Sequence, residues 1–283
     1  MLIKDAIIWS NKKLNRNEVD NASSSTNLLL SDLLEVNRAY LVSHPERELS
    51  KSEEKRYRSW VERRSKHEPV WYITGHIDFM NHSFIVNKNV LVPRPETEIL
   101  IEKFISANGQ QITSESRILE IGTGSGAIIV SLEKNLDGQY FASDISSEAL
   151  KVAKENAERI IKRTTILFKK GNLFEPWKNK KFDYILVNLP YIPHQQMTKL
   201  SPDILDFEPK IALDGGINGL DIYNKFLSNA SKHLSENGKI YGEIGDKQGA
   251  KISELSKKYL PDKKVEVIKD YANLDRIFII QNY

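Results

Sequence analysis

Hydrophobic positions in the first quarter of the chain recur at helical spacing. Leu28, Leu29, Leu33, Leu34 and Val36 make one apolar stripe, and the region up to residue 68 reads as a series of helices. Ser50 followed by Glu53 has the form of a capping box, opening a helix that runs through Trp60 and Val61. Past residue 68 the rhythm changes. Residues 71–75 and 76–86 alternate in the manner of a hairpin, with Asn81 near its turn. In 90–98 two prolines flank Arg94, which makes a stiff extended connector, and 96–105 opens a helix.

From residue 117 onward strands alternate with helices. Ile118, Leu119 and Ile121 read as a buried strand, Gly122, Gly124 and Gly126 as a turn, and Ala127 to Leu132 as a helix. A strand over 140–142 ends at Asp144, Ser146 or Ser147 caps a helix reaching Ile161, and a further strand covers 165–168. Ile185, Leu186 and Val187 form another buried strand, followed by helices near 221–234 and 248–260 and strands over 239–244, 265–268 and 276–281. Such alternation predicts an α/β domain built on a mostly parallel, doubly wound sheet. The expected organisation is a helical domain over 1–68, a hairpin linker over 69–92 and the α/β domain over 93–283.

Two stretches carry candidate chemistry. In Asn188-Leu189-Pro190-Tyr191 the strand ends abruptly, because Pro190 lacks an N–H and holds Leu189 extended. The resulting stiff loop offers the Asn188 carboxamide oxygen and a backbone carbonyl to a planar –NH2 group, with the Tyr191 ring as a stacking face. Gripped this way, a weakly nucleophilic nitrogen is aimed at an electrophilic methyl group. On these four residues alone, an ordinary turn fits equally well. The second stretch is the glycine turn. Its glycines let the backbone approach a ligand closely, and they also satisfy a loose dinucleotide fingerprint. The acid at Asp144 favours a nucleoside, since a carboxylate there accepts both ribose hydroxyls; its alternative role is a helix N-terminal acid. In doubly wound sheets ligands sit beyond the carboxyl ends of the strands, where Gly122, Asp144 and Asn188 all fall.

Composition narrows the field. A chain of 283 residues with 40% hydrophobic and 28% charged residues suits one large or two modest soluble domains. It has no cysteine, which removes disulfides and thiol chemistry, and its 6 histidines show no metal-ligand spacing. A net charge of +3 does not argue for nucleic acid as the partner. Lys55, Arg56, Arg58, Arg63, Arg64 and Lys66 share one predicted helix, as a solvated face or as a docking surface for protein or RNA. The apolar patch around Ile7, Ile8 and Trp9 is interrupted by Lys4 and Asp5 and reads as neither signal peptide nor membrane span.

The motifs EPVWYITG, VLVPRPETE, ILEIGTGSGAI, NLPYIP, FEPKIALDGG and DYANLDR, with the acid at Asp144, resemble the HemK/PrmC family of peptide-chain release factor glutamine methyltransferases. The resemblance covers nearly the whole chain. It implies a Rossmann-like, seven-stranded S-adenosylmethionine-dependent methyltransferase domain preceded by a small helical domain that helps recognise the release factor. It further implies that Gly122, Thr123, Gly124, Ser125 and Gly126 hold the methionine part of S-adenosylmethionine, Asp144 its ribose and Leu173 its adenine. Asn188, Leu189, Pro190 and Tyr191 would bind the substrate glutamine of a Gly-Gly-Gln loop. Asn188, Pro190 and Tyr191 would act in catalysis, with Asn188 also beside the cofactor methyl. The products implied are N5-methylglutamine and S-adenosylhomocysteine. A cytoplasmic monomer is expected, with no metal, no membrane contact and no direct nucleic-acid binding.

Three positions depart from the family pattern. Leu189 stands where a second proline is usual, Asn172 where an acid is usual, and Asn273 where glycine is common. Related readings are a ribosomal-protein glutamine methyltransferase and a ribosomal-RNA adenine-N6 methyltransferase, whose motif also looks like N-L-P-Y. A nucleotide-binding protein without catalysis is the reading from a different class.

Overall fold

Helices α1 (Ile3–Arg16), α2 (Ala22–Leu34), α3 (Arg38–Ser43), α4 (Lys51–Arg64) and α5 (Val70–Thr74) form the bulk of the first of two units in the computed structural model, which describes all 283 residues. This unit comprises Met1–His76 and Ser201–Phe207, and so extends past the boundary expected at residue 68. The capping box at α4 forms as read: the Ser50 hydroxyl accepts from the Glu53 N–H at 3.2 Å, and the Glu53 carboxylate accepts from the Ser50 N–H at 2.7 Å. Tyr57 and Leu29 are wholly buried in the core, where the Tyr57 hydroxyl donates to Ser10 Oγ at 2.8 Å. Arg64 is 5% exposed and donates to Ser25 Oγ and to the carbonyls of His67 and Glu68. Two other cations of α4 meet carboxylates, Arg58 with Glu54 and Arg63 with Glu68, as a solvated face does.

Residues 71–75 depart from the strand expected of them. Pro69 stands before the first turn of α5, and Gly75 closes it in the left-handed region at φ 88°. Pre-set φ at one end and a left-handed cap at the other favour a helical turn over alternation. The hairpin is shorter, β1 (His76–Phe79) and β2 (His82–Ile85), turning through Met80 and Asn81 at φ 48° and 61°.

The second unit comprises Ile77–Leu200 and Glu208–Tyr283. After the hairpin come α6 (Pro95–Asn108), β3 (Arg117–Ile121), α7 (Ala127–Asn135), β4 (Gln139–Asp144), α8 (Ser147–Ile161), β5 (Leu167–Lys170) and β6 (Phe182–Val187). A short α9 (Pro202–Leu205) belongs to the first unit, where Asp203 lies 3.8 Å from Arg64. Then follow α10 (Asp221–His233), β7 (Leu234–Glu243), α11 (Gly249–Tyr259), β8 (Lys263–Lys269) and β9 (Asp275–Asn282).

The sheet has seven strands in the order β5-β4-β3-β6-β7-β9-β8; β9 alone runs antiparallel to both its neighbours. Strand β5 begins two residues later than the pattern predicts. Both the N–H and the hydroxyl of Thr165 are bonded to Glu133 at 2.6 Å, which takes that residue out of the ladder. Ile185, Val187 and Ile240 are wholly buried at the centre of the core. Asn156 of α8, also wholly buried, accepts from the Ile85 N–H and donates to the carbonyls of Ile85 and Ser125. One side chain thereby ties the hairpin to the glycine turn. The parallel strands β5, β4, β3 and β6 lie side by side, and the loops that follow them line the site.

Candidate active site

The turn after β3 is folded over the end of β4. The N–H groups of Gly122 and Thr123 both donate to the Ser143 carbonyl, at 2.8 and 3.1 Å. Gly124 sits at φ 55°, and a Cβ built on it would meet nothing within 4 Å. Open space at a left-handed glycine is what close approach of a ligand to backbone requires. Gly126 differs. At φ 82°, a Cβ there would meet Ala153 and Val130 at 3.2 Å, so this glycine lets α7 approach α8.

Asp144 closes β4 and is 9% exposed. Its Oδ2 accepts from the Gly124 N–H at 2.9 Å and its Oδ1 from the Ser146 N–H at 2.8 Å. Burial raises its pKa against these backbone hydrogen bonds, which favour the anion. Each carboxylate oxygen keeps a further lone pair for a ligand hydroxyl. Ile145, 47% exposed, and Leu173 add apolar surface along the same wall. Leu173 takes a left-handed φ of 49° in the turn after β5, which brings it to the cleft.

Gly122, Thr123, Gly124, Ser125, Asp144, Leu173, Asn188, Leu189 and Pro190 all line one open cleft enclosing about 1100 Å³ of space including its mouth. Of the residues expected at the site, Gly126 and Tyr191 do not line it. The Tyr191 ring, expected to form a stacking face, lies instead beside Gly245, with its hydroxyl donating to Glu243 Oε1 at 3.1 Å. Asn188 is half-buried, and its –NH2 group donates to Thr97 Oγ1 at 3.2 Å and to Glu243 Oε2 at 3.0 Å. The amide hydrogens are therefore engaged within the protein, which leaves the carboxamide oxygen as the acceptor for a ligand.

Leu189 takes a place the family pattern gives to proline, and its retained N–H is used. It donates to the Tyr223 hydroxyl at 3.2 Å, and that hydroxyl in turn donates to the backbone carbonyl of Glu243. The leucine side chain is 4% exposed and packs on the Gly122 turn. Asn273 adopts φ 63°, the left-handed conformation that glycine would otherwise supply. Asn172 lines the cleft with an exposed side chain.

Three polar residues at the site escaped the sequence reading. Glu120 lies in β3 and lines the cleft, with Oε2 accepting from the Thr123 hydroxyl at 2.5 Å and the Ile129 N–H at 3.1 Å. Complete burial pushes its pKa up to about 8, opposed by those two bonds. Glu243 and Thr97 are 1% and 3% exposed, and the Thr97 hydroxyl donates to Glu243 Oε2 at 2.7 Å. An acid inside an apolar strand was the available signal for Glu120 and Glu243. Nothing local marked Thr97. Arg94 also lines the cleft and donates to the buried Glu208 carboxylate at 2.5 Å, which ties the VPRP segment to Glu208.

Residues 5–75 match the PrmC N-terminal domain, and residues 112–281 match a methyltransferase domain. A release factor glutamine methyltransferase of Thermodesulfovibrio yellowstonii is 39% identical over 225 residues, covering 79% of this chain and 80% of that one. The protein of the same name from Clostridium acetobutylicum is 34% identical over 284 residues, covering 99% of this chain and 98% of that one. Among solved structures, a methyltransferase from Pyrococcus furiosus shares the fold, with a TM-score of 0.52 and 21% identity over 70% of this chain and 87% of that one. No helix is long and apolar enough to cross a membrane. With one relative matched end to end and both domain families in their expected order, the chain belongs to the S-adenosylmethionine-dependent release factor glutamine methyltransferase family.

Proposed function

We propose that this protein methylates the side-chain amide nitrogen of the glutamine in the Gly-Gly-Gln motif of a peptide-chain release factor, giving N5-methylglutamine and S-adenosylhomocysteine and releasing one amide proton to solvent. The observation that carries the reading is the Asn188 carboxamide, oxygen available, lining the same cleft as Gly124 and Asp144. The residues present fit S-adenosylmethionine: an uncrowded glycine turn for its methionine part, a buried carboxylate with spare lone pairs for its ribose, and Ile145 and Leu173 as apolar neighbours for its base. When bound, that cofactor supplies an electrophilic methyl group on a sulfonium.

In this reading Asn188 accepts one N–H of the substrate amide, and a carbonyl of the Leu189–Pro190 bend accepts the other. Two acceptors fix the plane of the amide and aim its nitrogen, which lowers the barrier by orientation. They also favour the positive charge that develops on nitrogen as its new bond forms. The rigid ring of Pro190 keeps the bend from relaxing, and the buried Leu189 side chain anchors it to the glycine turn. A monomer acting in the cytoplasm, on protein rather than nucleic acid, is part of the same proposal. The choice of protein over nucleic acid is supported by a net charge of only +3 and by the pairing of Arg58 and Arg63 with carboxylates. Incubation with labelled S-adenosylmethionine and either release factor or ribosomal RNA tests it. Label on the release factor glutamine is the expected result, and label on RNA alone would overturn it.

A further inference from the structure

We propose that Glu243 is a positioning residue for the transfer: it sets which end of the Asn188 carboxamide faces the cleft. The inference rests on the reading of Asn188 given above. Burial raises the Glu243 pKa, opposed by the hydrogen bonds from Thr97 and Tyr191 and by the nearby Arg276 charge, which favour the anion. An ionised carboxylate only accepts hydrogen bonds, so the end of Asn188 that approaches it is the –NH2 group. Glu243 Oε2 lies 3.0 Å from Asn188 Nδ2 and 2.7 Å from Thr97 Oγ1. The Thr97 hydroxyl gives its one hydrogen to Glu243, so toward Asn188 Nδ2, at 3.2 Å, it acts only as acceptor. Neither partner can therefore hold the opposite orientation. A flipped Asn188 would set its oxygen against a carboxylate and present –NH2 to the –NH2 of the substrate.

The second carboxylate oxygen accepts from the Tyr191 hydroxyl, and the backbone carbonyl of Glu243 accepts from Tyr223, which holds the Leu189 N–H. One residue at the end of β7 thus fixes Asn188, Leu189 and Tyr191 together. This accounts for a wholly buried acid at a place where an apolar residue would otherwise pack at lower cost.

A double-mutant cycle on the full-length protein tests the assignment, with kcat and KM for release factor and calorimetric affinity for S-adenosylmethionine as readouts. Glu243→Leu should lower kcat by roughly 10²–10³, the scale of one lost preorganised donor or acceptor, with cofactor affinity and KM changed by less than about threefold. In an Asn188→Ala background the same substitution should cost nothing further. Glu243→Gln should retain most of the rate, because its carbonyl oxygen still accepts from Asn188. Additive losses, or wild-type kcat in Glu243→Leu, would overturn the proposal. Equal losses in the Gln and Leu variants would assign the effect to charge and overturn orientation as its cause. Should Glu243→Leu fail to fold, Thr97→Val carries the test: a kcat loss of about tenfold that vanishes beside Asn188→Ala supports it, and the same loss in both backgrounds overturns it. The wild-type arm reports separately on the underlying reading, since a wild-type protein that transfers no methyl to glutamine overturns both.

Discussion

Replacing Asp144 by alanine separates a ligand-binding carboxylate from a merely structural one. In the free protein the group accepts one backbone N–H on each oxygen, from Gly124 and Ser146. Losing a cap of this kind costs about 1–2 kcal/mol of stability. The cost is partly offset because removing a buried acid also removes its desolvation penalty, the main cause of its raised pKa. The net effect on melting should therefore be a small decrease. Cofactor binding should suffer more. Hydrogen bonds from ribose hydroxyls to a charged acceptor contribute about 1.5–3 kcal/mol, or roughly a 10–150-fold rise in Kd for S-adenosylmethionine. Titration calorimetry at neutral pH, with thermal melts in parallel, reads both quantities. A lowered melting temperature with unchanged Kd would refute the reasoning and leave Asp144 as the acid that pins the glycine turn to α8.

Glu120 makes a pH prediction. Its folded pKa of about 8 lies above the ordinary 4.5, so its contribution to stability is complete at low pH and is lost as pH rises toward 8. Glu120→Gln keeps an acceptor for Thr123 and Ile129 and should remove this decline, raising the free protein's stability at pH 8 by a few kcal/mol at about 1.4 kcal/mol per pH unit; parallel pH profiles in wild type and variant would contradict it. Tyr223→Phe deletes the hydroxyl between the Leu189 N–H and the Glu243 carbonyl. Leaving those buried groups short of a partner should cost about 1–3 kcal/mol; an unchanged denaturant midpoint would show that the bend does not depend on the bridge.

Much of the site was legible because its signals are local. The strand, the glycine turn, the helix and the acid after the next strand follow one another in the chain, and each obeys rules of spacing that need no tertiary context. The Asn188 bend could be read for a related reason, since Pro190 dictates where β6 stops. The support behind Asn188 was not legible. Thr97, Asn188 and Glu243 come from α6, the loop after β6 and the end of β7, and meet only because the sheet sets β7 beside β6 and ends both at the same level. Tyr191 shows the limit most plainly. An aromatic next to a proline bend suggested a stacking face, but Tyr191 does not line the cleft, and its hydroxyl donates to the buried Glu243 carboxylate. The 71–75 stretch erred in the other direction, where a proline and a glycine at its ends outweighed an alternating pattern.

The central claim is that the carboxamide of Asn188, presented beside the glycine turn and Asp144, directs methyl transfer to a glutamine side chain. Mass spectrometry of a tryptic release-factor peptide after reaction tests it most directly, with wild-type protein and Asn188→Ala side by side. The account predicts one added methyl on the Gly-Gly-Gln glutamine with wild type, and a rate roughly 10²–10³ lower with the variant at unchanged cofactor affinity. An unmodified glutamine with wild type, or equal rates for the two proteins, would contradict it.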